Sequence, residues 1–275
     1  MNTSISPIIE AITKSEKATY IVGIAGGSAS GKSWTSNSLR DRLLRAGYQV
    51  AILHLDDFAL GKEFAHRKTS PYKWDDPDNY RLNEAFLVLQ DLLAGRERQY
   101  LAYTLEAHRP VQSTQLAWAQ PDNPTGRRIV VIEGLFPWSG AFNEIVDLKV
   151  FLDSNFFRRF VLRLYRNVMV QQVVSFEKVA EQYFSFVKRA HFDLLMPQKD
   201  TADIVITNDI DLGQTLTGLA VLPDGDTPAQ SIYRDADLFI GYRRNETGIE
   251  LEICVDGKPV MRGVVSEKIL ASILH

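Results

Sequence analysis

Short apolar-rich runs alternate along this chain with longer stretches whose apolar residues recur every three or four positions. The runs fall at about 20–24, 48–55, 129–132, 148–152 and 202–207. Ile129-Val130-Val131-Ile132 is typical, because an apolar run without polar alternation marks a strand covered on both faces, as in parallel sheets. Helical spacing occupies Pro7 to Lys17, Lys32 to Ala46, Leu82 to Leu93, Asn155 to Val170 and Ser175 to Leu195. Gly47 and Gly95 stop two of these helices. Alternating strand and helix predicts an α/β fold: a parallel sheet with helices on both faces.

After Asn208 the pattern changes. Asp237–Arg243, Ile249–Val255 and Pro259–Val265 read as strands, with Asp256-Gly257 as a hairpin turn, and Ser266–Leu274 as a closing helix. The expected organisation is therefore a core over 1–208 and a β-rich C-terminal extension over 209–275, packed on the core or forming a small subdomain. Pairing of its strand edges would make a homo-oligomer, whereas folding back onto its own sheet would not. Residues 59–81 and Tyr100 to Thr125 read as loops.

The first strand runs into Gly26-Gly27-Ser28-Ala29-Ser30-Gly31-Lys32-Ser33-Trp34. Gly-x-x-x-x-Gly-Lys-Ser between a strand and a helix is the phosphate-binding P-loop pattern, so the predicted fold class is a P-loop NTPase-type parallel sheet. Glycine lets successive N–H groups turn inward at the positive end of the following helix. Lys32 supplies a cation for the β/γ-phosphates and Ser33 a hydroxyl suited to Mg²⁺. The alternative is a chance glycine-rich turn.

Other candidates stand where later strands end, and ligands of open α/β sheets bind outside those ends. Asp56-Asp57-Phe58 follows the second strand, where a carboxylate can take a proton from a hydroxyl or cap a turn, and Phe58 beside it is a candidate substrate contact. Glu133 ends the third and could hold Mg²⁺. The loop containing Trp74 and Asp75 offers rings to stack and acids to accept from sugar hydroxyls; Tyr103, His108 and Arg109 are further ligand groups. Arg159, Arg163 and Arg166 share a helix face, either solvated or clamping phosphoryl groups.

Composition narrows the partners. The chain has 275 residues and net charge -3, which disfavours nucleic acid or a membrane surface and favours a small-molecule substrate. Cys254 is the single cysteine, so no intrachain disulfide forms; it is expected in a buried strand. No window approaches the ~20 apolar residues of a membrane helix, and Met1–Pro7 lacks a basic, then apolar, leader, so a cytoplasmic location is expected.

The ordered set of P-loop, Leu-Asp-Asp-Phe, Trp-Asp-Asp-Pro-Asp, Tyr103 through His108-Arg109, Ile-Glu-Gly, Leu-Asp-Ser with the arginine helix, and Gln182–Lys188 followed by Pro197-x-Lys199 resembles the uridine kinase/phosphoribulokinase family. The resemblance covers residues 20 to 207. It implies an ATP- and Mg²⁺-dependent kinase acting on a hydroxyl, with a uridine- or cytidine-like nucleoside as leading substrate. Asp56 would then take the 5′-hydroxyl proton, Glu133 help hold Mg²⁺, and Asp75 contact the ribose. Tyr103 and His108 would lie around the base, and Arg163 and Arg166 would touch phosphates or substrate. Nicotinamide riboside, pantothenate, ribulose 5-phosphate and glycerate kinases share the core. Asn167–Val174 is nearly uncharged where those nucleoside kinases carry an arginine- and glycine-rich lid, and Arg189 stands where they usually have proline. That departure leaves a nucleotide-binding regulatory protein as the alternative.

Overall fold

The computed structural model describes residues 5–61, 70–104, 106–172, 174–208, 212, 216, 230–246 and 248–274. They fall into two compact units, Thr3–Asp153 with Ala190–Asn208, and Ser154–Arg189 with Asp209–His275. The boundary expected after 208 is thus one of three crossings, because the helices of 154–189 cluster with the tail.

In the first unit, α1 (Ser6–Lys14), β1 (Thr19–Gly26), α2 (Lys32–Arg45), β2 (Gln49–His54) and α3 (Leu82–Leu93) precede a hairpin of β3 (Gln99–Thr104) and β4 (Arg109–Gln115). β5 (Arg128–Glu133), β6 (Leu148–Asp153) and β7 (Ile204–Thr207) complete a five-stranded sheet of order β2-β5-β1-β6-β7. The pairings are parallel throughout. Alternate residues of each run serve opposite faces: Val22, Ile24, Ile129 and Val131 pack with Ile8, Ile12, Leu39 and Leu43. Ile21, Val130 and Ile132 pack with Ala85, Val88, Leu89 and Phe142 on the other. Two covered faces favour apolar residues in the strand interiors, which is why Ile129 to Ile132 is unbroken.

The hairpin corrects the loop expected at 100–125. Its outer strand is largely exposed and polar, Arg-Pro-Val-Gln-Ser-Thr-Gln, so its register shows no apolar face in the sequence.

In the second unit, α4 (Phe156–Leu164) continues as a wide π-helical turn over Tyr165–Val170, and α5 (Phe176–Gln182) likewise over Tyr183–Val187. β8 (Gln230–Arg234), β9 (Leu238–Asn245), β10 (Gly248–Val255) and β11 (Lys258–Val265) form an antiparallel sheet of order β11-β10-β9-β8, followed by α6 (Glu267–Leu274). Asp256 and Gly257 both take positive φ, 51° and 73°, as a tight hairpin turn requires. β8 lies outside the expected strands, and Cys254 sits on β10 but is only half-buried.

Helices and sheet of this unit interlock at two places. Gly263 lies so close to Phe176 that a Cβ would come within 2.2 Å of the ring. At the other, Asn155 caps α4 and donates to the Tyr233 hydroxyl at 2.8 Å, while Arg158 Nη2 donates to Asp235 at 2.9 Å and also pairs with Asp237. Phe157 stacks on Tyr233 with centroids 4.5 Å apart.

Burial raises the pKa of Asp235, but the Leu238 N–H, the Tyr233 hydroxyl and Arg158 outweigh it and hold the carboxyl below its ordinary value. A depressed carboxyl pKa stabilises the fold above the ordinary carboxylate pKa, and the gain is lost as pH falls through the folded value. Asp235→Ala is expected to cost about 1–3 kcal/mol at pH 7. Hydrogen exchange at the Leu238 amide, corrected for intrinsic rate, should show the lost protection at pH 7.

Candidate active site

The turn between β1 and α2 is closed by backbone that a side chain would obstruct. A Cβ on Gly26 would lie 2.7 Å from Ser30 Oγ and 2.8 Å from the Leu152 carbonyl. Ala29 and Gly31 take left-handed backbone, φ 63° and 92°, and such alternation gathers N–H groups around an anion. Asn208 holds the turn from outside. Its side-chain amide donates to the Ser30 carbonyl at 2.7 Å, and its own N–H donates to the Asp153 carbonyl at 2.7 Å. The Lys32 side chain lies back along the loop, its ammonium donating to the carbonyls of Gly26 and Gly27 at 3.0 and 3.1 Å.

β5 lies between β1 and β2, in a register that sets Glu133 beside Ile24 on one side and His54 on the other. Glu133 is 3% exposed. Its Oε1 accepts from Ser33 Oγ at 2.9 Å and from His54 Nδ1 at 2.7 Å, whereas its buried Oε2 has no hydrogen-bond partner. Burial alone would raise this carboxyl's pKa; the His54 hydrogen bond, the Lys32 charge and the Ser33 hydroxyl outweigh it, so Glu133 stays ionised. Burial likewise works against a charged His54, and the bond to Glu133 outweighs it, holding the imidazole pKa above its ordinary value.

A buried, ionised oxygen without a donor, next to a serine hydroxyl at a phosphate-binding turn, fits Mg²⁺, which takes one or two protein oxygens plus phosphates and water. Among the described residues no group of three or more His, Cys, Asp or Glu could hold a metal.

Past His54 the chain turns through Leu55–Phe58. Asp56 is exposed, while Asp57 is half-buried and accepts from the Tyr100 hydroxyl at 3.2 Å. Burial pushes the Asp57 carboxyl up and the Tyr100 hydroxyl up with it. Beyond Asp56, Gly61 lies against the tip of the β3–β4 hairpin: a Cβ there would come within 2.3 Å of the His108 carbonyl and 2.9 Å of the Tyr103 ring. The Gly61 N–H donates to Asn79 Oδ1 at 3.2 Å, and Asn79 Nδ2 donates to the Trp74 carbonyl at 3.0 Å. One asparagine thus ties Gly61, three residues beyond the acid-bearing turn, to the Trp74–Asp75 segment.

Residues 21–211 match the model of the phosphoribulokinase/uridine kinase family. The chain belongs to that family. Its members are phosphotransferases that act on a hydroxyl group. Uridine-cytidine kinase B of Dictyostelium discoideum is 28% identical over 201 residues, 72% of this chain and 79% of that protein. A uridine kinase of Staphylococcus aureus (strain JH9) is 29% identical over 194 residues, 69% of this chain and 88% of its own. A structure described as that of a possible uridine kinase from Bacillus stearothermophilus superposes with a TM-score of 0.50 at 18% identity, covering 73% of this chain and 96% of its own. That last likeness speaks to the fold.

In this kinase Ser33 and Glu133 meet beside Lys32, and the hairpin and Asn79 bring Tyr103, His108 and Trp74 to Gly61, three residues beyond the turn that carries Asp56. Asp75 is buried and Arg109 exposed; Trp34, on the first turn of α2, is 42% exposed. Phe58 requires a correction. Expected as a substrate contact, it is fully buried in the core, stacked on Tyr100 at 4.6 Å with the Arg81 guanidinium 5.5 Å over its ring. The arginine row also differs from a solvated or uniformly available face. Arg159 and Arg163 are buried in the second unit, Arg163 over the Tyr183 ring, and only Arg166 is exposed. The site described here is built from the first unit alone.

Four contributors have no place in the sequence reading: His54, Asn79, Tyr100 and Asn208. Each acts through a contact with a residue far along the chain, and only the position of His54 at the last place of a strand, two before Asp56, offered a local sign. Removing the Asn208 amide should loosen the phosphate-binding turn. Asn208→Ala is expected to weaken binding of a fluorescent ATP analogue roughly tenfold, the equivalent of one buried hydrogen bond of about 1–1.5 kcal/mol.

Proposed function

We propose that this kinase moves the γ-phosphoryl group of ATP to a hydroxyl of a nucleoside of the uridine or cytidine type. The observation that carries the reading is the exposed carboxylate of Asp56 at the open end of β2, one strand from Glu133. Just beyond that turn, Gly61 is tied to an aromatic and acidic segment and lies against the Tyr103–His108 hairpin tip. The relatives named as uridine kinases support the same acceptor class.

The reaction needs a nucleophile positioned in line and charge neutralised at the transferring oxygens, with little covalent help. Gly26 to Ser33 form the phosphate cradle, with Trp34 at its margin. Lys32 leaves its carbonyl partners for the β/γ-phosphates. Bound Mg²⁺ would be held by Ser33 and Glu133 and would supply further neutralisation of phosphate charge. Asp56 accepts the proton of the acceptor hydroxyl as its oxygen bonds to phosphorus and the bond to ADP breaks. Asp57 is less suited to that part, since it is half-buried and Tyr100 occupies one of its oxygens. Asp75, Trp74, Tyr103, His108 and Arg109 are the proposed acceptor contacts.

The test is coupled ADP release with Mg·ATP over nucleosides, nicotinamide riboside, pantothenate, ribulose 5-phosphate and glycerate, with Lys32→Ala as blank. Uridine or cytidine should raise turnover most, and a non-nucleoside acceptor doing so would replace the nucleoside assignment. Asp56→Asn should lower kcat about 10²–10⁴-fold with nucleotide affinity unchanged, whereas Asp57→Asn should retain most activity.

A further inference from the structure

The contact between His54 and Glu133 has no part in the chemistry above, yet it bears on a buried carboxylate beside the phosphate-binding turn. A carboxylate only accepts hydrogen bonds, so His54 Nδ1 is the donor, 2.7 Å from Oε1. The pairing is built into the sheet: His54 is the last residue of β2 and lies directly opposite Glu133 in the parallel register. Ser33 Oγ donates to the same oxygen. With both donors on Oε1, the other oxygen is left buried and unbonded.

We propose that His54 is a positioning residue: its hydrogen bond fixes the rotation of the Glu133 carboxylate so that Oε2 is presented to a divalent cation. The inference rests on the assignment of Glu133 as a cation ligand. Ser33 is itself a candidate ligand, so its hydroxyl serves two partners. Among the described residues the hydrogen bond of His54 goes to Glu133, and it sets the orientation whether or not Ser33 turns toward the cation. Groups that orient a metal ligand in this way are worth 10–100-fold in metal affinity.

The experiment measures Mn²⁺ affinity by electron paramagnetic resonance on the full chain saturated with a non-hydrolysable ATP analogue. It compares the wild type with His54→Ala, His54→Leu, His54→Asn and Glu133→Gln. Metal-free binding of a fluorescent ATP analogue confirms that each variant keeps its phosphate turn. The expected result is Mn²⁺ affinity lowered about 10–100-fold in His54→Ala and His54→Leu, largely recovered in His54→Asn, whose amide can donate. In turnover assays the Mg²⁺ concentration for half-activation should rise more than kcat at saturating Mg²⁺ falls. A general structural defect would not produce that split. His54→Leu fills the ring's space without a donor, and it decides the matter if His54→Ala does not fold. Unchanged Mn²⁺ affinity in the His54 variants, with loss in Glu133→Gln, would overturn the role of His54 and leave that of Glu133 standing. Unchanged affinity in Glu133→Gln would overturn both.

Discussion

The arrangement depends on one strand pairing. β5 sits between β1 and β2 in parallel register, which brings the end of each to the same level. Glu133 is thereby placed beside the phosphate-binding turn on one flank and beside the acid-bearing turn on the other. A slip of one residue would turn Glu133 to the opposite face and send Ile132 into its place, because side chains alternate along a strand. The apolar packing of both faces forbids the slip: Ile129 and Val131 belong to one cluster, Val130 and Ile132 to the other.

The same pairing makes a buried charge tolerable. An ionised carboxylate removed from water is destabilising unless it is bonded and faces opposite charge. Glu133 has His54 and Ser33 as donors and the Lys32 charge nearby, yet one oxygen remains unsatisfied. Residual electrostatic cost of this kind is common where a ligand is to be received. Lys32 shows the complementary condition, its ammonium resting on two carbonyls of the loop that also cradles phosphate.

Much of this was legible in the chain itself, for reasons particular to each element. The doubly buried strands announced themselves because nothing polar interrupts Ile129 to Ile132, and the turn at Gly26–Ser33 because its geometry admits few residue types. Glu133 and Asp56 were visible as acids at strand ends. The β3–β4 hairpin was not, since its outer strand carries no apolar alternation. Nor was the grouping of 154–189 with the tail, which depends on Phe157 meeting Tyr233 and Arg158 meeting Asp235, contacts spanning more than seventy residues. Phe58 was misread because an aromatic beside an acid looks the same whether it faces a ligand or the core. His54, Asn79 and Asn208 are polar residues whose meaning lies mainly in the partners they meet, Glu133, Gly61 and Ser30.

The most direct measurement of the central claim follows the phosphoryl group itself, with ATP labelled at the γ-position and uridine as acceptor. The account predicts label in a new nucleoside monoester, dependent on both uridine and Asp56 and lost in Asp56→Asn while the nucleotide still binds. Label appearing only as inorganic phosphate, at a rate indifferent to uridine and to every other hydroxyl acceptor, would contradict it.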